Sequence, residues 1–234
     1  SYVREFMNDL IVKARRLWVE GSHQESILLY QKLIKNHPTN TEILTDITSK
    51  YFEIGQMERC YELSQRLENL KPDLILAKYY QAFCLFQRQK MSLSRIKIFE
   101  ILRIDPKHKK SLILLCQILF LLKLYDSALK INLKIQDEEL DTLEQRASIY
   151  VELGRSKKSN EMYKNLWERC PERKSFSSNY LQTLLYLDDG SNEFIRTAHL
   201  EIMNKSLSTS NDDFASLSLY EDRFSLENLK KRKI

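Results

Sequence analysis

Large and small residues recur along this chain at an interval of 34 residues, shortened once to 31. Large apolar positions are held by Leu17, Tyr51, Leu85, Leu119 and Tyr150, and by Leu33, Leu67, Ile101, Ile135 and Leu166. Positions that are always small are Ala14, Thr48, Ala82, Cys116 and Ala147, and Ser26, Cys60, Ser94, Ala128 and Ser159. Closely crossing helices need small residues where their backbones approach and large ones in the grooves beside them. The pattern therefore predicts a helix, a tight turn and a second helix, repeated five times.

Glycine and proline punctuate the chain at the same interval. The turn position is held by Gly21, Gly55, Gln89, Lys123 and Gly154. A proline follows four of these turns after 17 residues: Pro38, Pro72, Pro106 and Pro171. Because proline has no amide proton for the helical ladder, it commonly follows a helix end. The fourth copy is three residues short, and we predict that the deletion lies in the loop at 136–141.

These intervals predict how the chain is organised. The five repeats are expected at about 7–40, 41–74, 75–108, 109–139 and 140–173. One such unit cannot bury its apolar face alone, so the copies should stack into a superhelix. Residues 174–207 are predicted to form a capping helix pair, at about 176–187 and 191–206, and residues 208–234 a polar linker or tail.

Over residues 7–173 this pattern resembles the tetratricopeptide repeat (TPR), a helix-turn-helix family of 34-residue units. The likeness is specific at the small, glycine and proline positions. It fails at the family's tryptophan position, held here by Leu10, Leu44, Lys78, Leu112 and Leu143. The resemblance implies an all-α fold, a right-handed α-solenoid, whose first helices line an inner groove that binds an extended peptide.

The predicted groove residues lie on the first helices of the first four copies. They are Arg15, Trp18, Ser49, Phe52, Tyr79, Phe83, Phe86, Gln117 and Phe120. An aromatic band suits apolar or backbone parts of a protein partner; the alternative is that each ring only packs against neighbouring helices. The carboxylate clamp of co-chaperone repeats is absent, since the inward positions are Ile11, Arg15, Ser49, Tyr79 and Phe83. Basic residues fall mainly on loops and outer faces, which disfavours a nucleic-acid ligand.

Composition and motifs narrow the function further. The chain has 234 residues, 43% apolar, and a net charge of +5, which permits an acidic partner without requiring nucleic acid. No apolar run approaches the roughly 18–20 residues that span a bilayer, and four scattered cysteines favour reduced thiols. No phosphate-binding glycine loop or hydrolase motif occurs, and His37 and His108 are expected to be exposed loop residues. We predict no catalytic residue, metal or cofactor, and a cytoplasmic location with the nucleus as the alternative.

Residues 178–202 carry a second resemblance, to the junction that follows the repeats in O-linked N-acetylglucosamine transferase and SPINDLY-like protein glycosyltransferases. The matching residues are Ser178, Asn179, Leu181, Leu184, Tyr186, Glu193, Phe194 and His199. The likeness implies that the array recognises acceptor proteins, with the nucleotide-sugar site outside this chain. The eukaryotic enzyme's asparagine ladder is missing, because its positions hold Val12, Asp46, Tyr80, Leu114 and Gln145. The alternative is a free-standing adaptor that joins proteins in a complex.

Overall fold

A computed structural model describes residues 2–187 and, beyond them, residues 197, 200–202 and 204. The chain divides into two compact units, Ser1–Leu122 and Lys123–Ile234. This division falls within the predicted fourth repeat. Over residues 2–187 every regular secondary-structure element is an α-helix, and no strand occurs there. None of the described helices combines the length and the apolar character that crossing a membrane requires.

The first unit consists of helices joined by short turns. They are α1 (Tyr2–Val19), α2 (His23–Asn36), α3 (Thr41–Glu53), α4 (Met57–Leu70), α5 (Ile75–Gln87), α6 (Met91–Ile104) and α7 (Lys109–Leu121). Helix α1 packs on α2, α3 on α4 and α5 on α6, and each second helix also packs on the first helix that follows it. This series of helix pairs is the arrangement that the periodicity predicts.

The turn within each helix pair uses a left-handed backbone. Its φ is +86° at Gly21, +77° at Gly55 and +66° at Gly154, and it stays positive at Gln89 (+59°) and Lys123 (+60°). A residue with a Cβ gives up roughly 1–2 kcal/mol in this conformation, which is why glycine is preferred there. The prediction that Gln89 and Lys123 occupy the glycine position is therefore confirmed.

Within each unit, the small positions lie where the paired helices meet. None of the ten exposes more than 1% of its surface. In the first and third pairs a serine hydroxyl of the second helix donates to a carbonyl of the first. Ser26 Oγ lies 2.7 Å from the Ala14 carbonyl oxygen, and Ser94 Oγ lies 2.7 Å from that of Ala82. A larger side chain at these positions would force the two helices apart, so the sequence keeps them small.

The second unit contains α8 (Tyr125–Asn132), α9 (Leu140–Glu152), α10 (Ser156–Arg169) and α11 (Lys174–Tyr186). Helix α8 has 8 residues, whereas α2, α4, α6 and α10 have 14 each. The connection from α8 to α9 has seven residues, against four after each of those helices. The prediction that the deletion shortens the 136–141 loop is therefore wrong: the helix is shortened and the loop is longer. Asn132 is buried at the end of α8, and its amide bonds to the Thr142 carbonyl and to Gln145.

Helix α11 closes on α10 and supplies much of the core of the second unit. Trp167 stacks on Tyr180 with ring centroids 5.6 Å apart, and Phe176, Leu181 and Leu184 are buried beside them. The helix lies close to the predicted 176–187. Of the second predicted capping helix, only residues 197, 200–202 and 204 are described, and all are helical. The predicted tail at 208–234 lies outside the described residues. All four cysteines are free thiols.

Candidate partner-binding site

Four aromatic rings of α3 and α5 form a continuous cluster, which we call the aromatic face: Phe52, Tyr79, Phe83 and Phe86. The Phe52 ring centroid lies 5.0 Å from that of Phe83 and 6.5 Å from that of Tyr79. Phe83 in turn lies 6.4 Å from both Tyr79 and Phe86. All four side chains are partly exposed. The helical spacing of 79, 83 and 86 places them on one side of α5, and Phe52 of α3 meets that side.

A buried tyrosine supports the aromatic face from behind. Tyr80 lies with its centroid 4.7 Å from that of Phe52, and its hydroxyl donates to Ser49 Oγ at 3.1 Å. Ser49 donates to the Thr45 carbonyl within its own helix. Ser49 was predicted as a groove contact, and in the structure its hydroxyl fixes Tyr80. Sequence reasoning missed Tyr80 as a supporting residue, although its place next to Tyr79 makes it visible in the pattern.

Trp18 makes three contacts within the protein. Its indole N–H donates to Glu53 Oε2 at 2.9 Å. The His23 ring stacks on it at 4.1 Å, and the Lys50 ammonium lies 4.6 Å from its centroid. These contacts engage both the polar edge and the ring of Trp18, so less of it is available to a ligand than the sequence suggested.

Arg15 is paired with carboxylates of α3. Its guanidinium donates to Asp46 at 2.7 Å and to Glu42 at 2.9 Å. Asp46 also accepts from the Tyr30 hydroxyl at 2.9 Å. The hydrogen bond with Asp46 is the largest cause that raises the pKa of Arg15. Burial, followed by the Asp46 charge, raises the pKa of Tyr30. Arg15 therefore anchors α1 to α3, and its charge is already neutralised.

His108 joins the aromatic face, in contrast to the prediction of an exposed loop residue. It is the N-cap residue of α7, it is half-buried, and its ring lies 5.9 Å from that of Tyr79. Its Nδ1 lies 2.8 Å from Ser111 Oγ. Burial lowers the pKa of His108, which favours the neutral imidazole.

The remaining predicted groove residues lie on α7. Gln117 is exposed and Phe120 is partly exposed, so a ligand can reach both. The ionic groups around Arg15 and Trp18 satisfy one another, and the rings between α3 and α5 are left as an apolar platform. Such a platform suits apolar or aromatic side chains and the flat faces of peptide groups.

No protein-family model matches the chain, and no curated protein does. Several solved structures share its fold. A tetratricopeptide repeat protein from Parabacteroides merdae has a TM-score of 0.68 at 13% identity, with 85% of this chain and 79% of that one covered. MamA from Desulfovibrio magneticus has a TM-score of 0.64 at 14% identity, covering 71% and 96%. A thermophilic TPR protein from Thermus thermophilus has a TM-score of 0.56 at 15% identity, covering 76% and 99%.

These likenesses establish the fold. The chain is an all-α array of helix pairs of the tetratricopeptide type, and the predicted fold class, an α-solenoid, is confirmed.

Proposed function

We propose that this chain is a protein-binding module whose aromatic face holds an extended segment of a partner protein. One observation carries the proposal: four rings in mutual contact remain partly exposed on a helical surface. Exposed aromatic clusters contribute much of the binding energy where proteins meet, because each ring buries a large area at little entropic cost.

The core beneath the aromatic face supports this reading over simple packing. Phe52 and Tyr79 pack against a buried cluster that includes Ile47, Tyr51 and Cys84. That cluster is filled by aliphatic, tyrosine and cysteine side chains from α1 to α5. Phe52 and Tyr79 thus rest on a filled core and stay partly exposed, as residues of a binding surface do.

The polar surroundings indicate the kind of segment that fits. Arg15, Trp18 and Ser49 already have partners within the protein. A ligand that relied on a terminal carboxylate would have to break those pairs. We therefore expect an internal, extended segment with apolar or aromatic side chains, which uses ring contacts more than ion pairs.

The test is to select binders and then remove the rings. Peptides of random sequence are displayed on phage and selected on the intact chain, and the binders are synthesised and measured by fluorescence anisotropy. Phe83→Ala and Phe86→Ala are each expected to weaken binding by about tenfold or more, as loss of a central aromatic anchor does. Leu28→Ala is the matched control, because Leu28 is an exposed apolar residue on α2. Circular dichroism checks that each variant is folded.

Two results would overturn the proposal. One is a set of selected peptides that bind the Phe83 and Phe86 variants as tightly as the unaltered chain. The other is a selection that yields no peptide above background.

The resemblance at residues 178–202 supports a narrower proposal, in which the bound partner is the acceptor of a protein O-glycosyltransferase. Among the matching residues, Leu181 and Leu184 lie in the core of the second unit. Any helix that packs on α10 needs apolar residues at these positions, so the two matches do not distinguish a glycosyltransferase junction from an ordinary capping helix. Ser178 and Asn179 are partly exposed polar residues, which packing of the helix on α10 does not by itself require, so they are the more informative matches. Glu193, Phe194 and His199 lie outside the described residues.

The discriminating observation is the reading frame after the codon for Ile234. A continuation into nucleotide-sugar-binding α/β domains would support the acceptor-recognition role. A stop codon would support the alternative of a free-standing adaptor, which explains the aromatic face equally well.

A further inference from the structure

Helix α6 exposes three large apolar side chains in a row, Leu93, Ile96 and Phe99, which we call the α6 stripe. They are 48%, 55% and 47% exposed. Their spacing of three residues places them on one face of the helix. By these fractions the three residues leave about 300 Å² of surface in water, a patch size that is often functional.

The other repeats show that the fold does not require apolar residues there. Each second helix has three positions that correspond to the stripe. They are Glu25, Leu28 and Gln31 in α2, Arg59, Glu62 and Gln65 in α4, Ser127, Lys130 and Leu133 around α8, and Lys158, Glu161 and Lys164 in α10. The α4 and α10 sets are exposed and wholly polar. Three apolar residues together occur only in the third copy of the predicted five, so their presence calls for a local cause.

Two arginines flank the stripe, and neither has an acidic partner among the described residues. Arg95 places its guanidinium 6.0 Å from the Phe99 ring centroid, and its Nε is buried without a hydrogen-bond partner among the described residues. Arg103 is exposed, one helical turn beyond Phe99. By contrast, Lys97 and Glu100 of the same helix pair with each other, and both also pair with residues of α4 or α5. Within the described part of the chain no carboxylate is recorded within ion-pair distance of Arg95 or Arg103.

We propose that the α6 stripe binds an acidic amphipathic helix of a partner protein. Apolar side chains of that helix pack on Leu93, Ile96 and Phe99, and its flanking carboxylates pair with Arg95 and Arg103. This is the helix-on-helix mode of recognition, read by side chains three and four residues apart. The surface is separate from the aromatic face and does not depend on the function proposed for it.

Charge and area favour this occupant over two others. The first alternative is a second copy of this chain. In a symmetric pair of α6 helices the arginines of one copy would face those of the other. The exposed apolar area of the stripe is also well below the roughly 800 Å² that each partner buries in a standard interface. Surface attraction to an anionic membrane generally involves a cluster of about four to eight basic residues, and the stripe has two. A single acidic helix can cover the three apolar side chains and pair with both arginines.

The experiment uses a synthetic amphipathic peptide of about 18 residues with leucines on one face and glutamates on the flanks. Its binding to the intact chain is measured by fluorescence anisotropy at two salt concentrations. A peptide of the same composition with the leucines dispersed around the helix is the ligand control. The test variant carries the residues of α4 at the stripe: Leu93→Arg, Ile96→Glu and Phe99→Gln. These residues are tolerated at the same exposed positions of another copy, so the variant is expected to fold.

We expect the graft to weaken peptide binding by about tenfold or more, as loss of clustered anchors does. The double variant Arg95→Gln and Arg103→Gln should weaken it several-fold and remove most of its salt dependence. Phe83→Ala, on the aromatic face, should leave the affinity for this amphipathic peptide unchanged.

The proposal fails if the peptide does not bind, or if the graft binds it as well as the unaltered chain does. It also fails if sedimentation shows that the unaltered chain is a dimer and the graft a monomer, which would assign the stripe to a second copy of the chain. It fails as well if the graft abolishes binding of the chain to anionic vesicles and the peptide does not compete with the vesicles, which would assign the stripe to a lipid surface.

Discussion

Glu68 of α4 is the centre of a partly buried ionic network, and replacing it with glutamine should destabilise the protein. Its carboxylate accepts hydrogen bonds from Lys78 at 2.5 Å, from Gln81 at 2.6 Å and from Lys97 at 3.0 Å. Burial alone would raise the pKa of Glu68, but these donors outweigh it and lower the pKa from 4.5 to about 2. The ionised form is therefore stabilised in the folded protein relative to the unfolded chain.

The size of the effect follows from that difference in pKa. At about 1.4 kcal/mol per pKa unit it corresponds to roughly 3 kcal/mol. The Glu68 side chain is still 17% exposed, and salt and water screen such pairs, so we expect a loss of about 2 kcal/mol at pH 7. Because the folded pKa is the lower one, this stabilisation is complete above pH 4.5 and disappears as the pH falls towards 2. The difference between Glu68→Gln and the unaltered chain should shrink over the same range.

The assay is urea unfolding followed by circular dichroism at several pH values between 7 and 2. Glu62→Gln is the control, since Glu62 is an exposed carboxylate of the same helix and should change the free energy of unfolding by less than about 0.5 kcal/mol. Equal effects of the two substitutions would refute the reasoning. A loss for Glu68→Gln that stayed constant down to pH 2 would refute the ionic cause.

Three further predictions concern the turns, the tryptophan position and a titrating histidine. Gly55→Ala should lower the free energy of unfolding in urea by about 1 kcal/mol, because φ at this position is +77° and strain is the only cost: a new Cβ meets no atom within 4 Å. Gln89→Gly should leave that free energy unchanged or raise it by up to roughly 0.5 kcal/mol, because φ is positive there as well. A loss of stability in both variants would refute the conformational cause. Lys78→Leu should cost about 2 kcal/mol in urea unfolding, because it takes one ammonium partner away from the partly buried carboxylates of Glu68 and Glu100 and leaves both charges in place; a loss below about 0.5 kcal/mol would contradict this. Since burial lowers the pKa of His108, the unfolded chain takes up that proton first, so stability should fall as the pH drops below 6.5 and then level off below the folded pKa. His108→Gln should remove that part of the pH dependence, measured by thermal unfolding between pH 7.5 and 5, and an unchanged slope would show that other groups cause it.

The spatial arrangement of the predicted groove residues could be read from the sequence only in part. Helical spacing placed Phe52, Tyr79, Phe83 and Phe86 on first helices, and the structure joins them into one cluster. The structure also pairs Arg15 and Trp18 with carboxylates of α3, and no pattern in the sequence predicted those pairs. Spacing determines which side of a helix a residue occupies, but a hydrogen bond depends on the rotamers of two side chains from separate helices.

By itself, the sequence determined the backbone plan. An interval of 34 residues, ten small positions and a turn position were enough to predict helix pairs, and even Gln89 and Lys123 adopt the left-handed backbone that their place in the interval demands. These features are local, or repeat at fixed separations, so one sequence displays them. Only the tertiary structure decided that the fourth copy loses helix instead of loop, that Lys78 joins Glu68 and Glu100, and that His108 lies against Tyr79. Those outcomes depend on which side chains approach across helices that are distant in sequence, and burial and charge settle them only once the helices have packed.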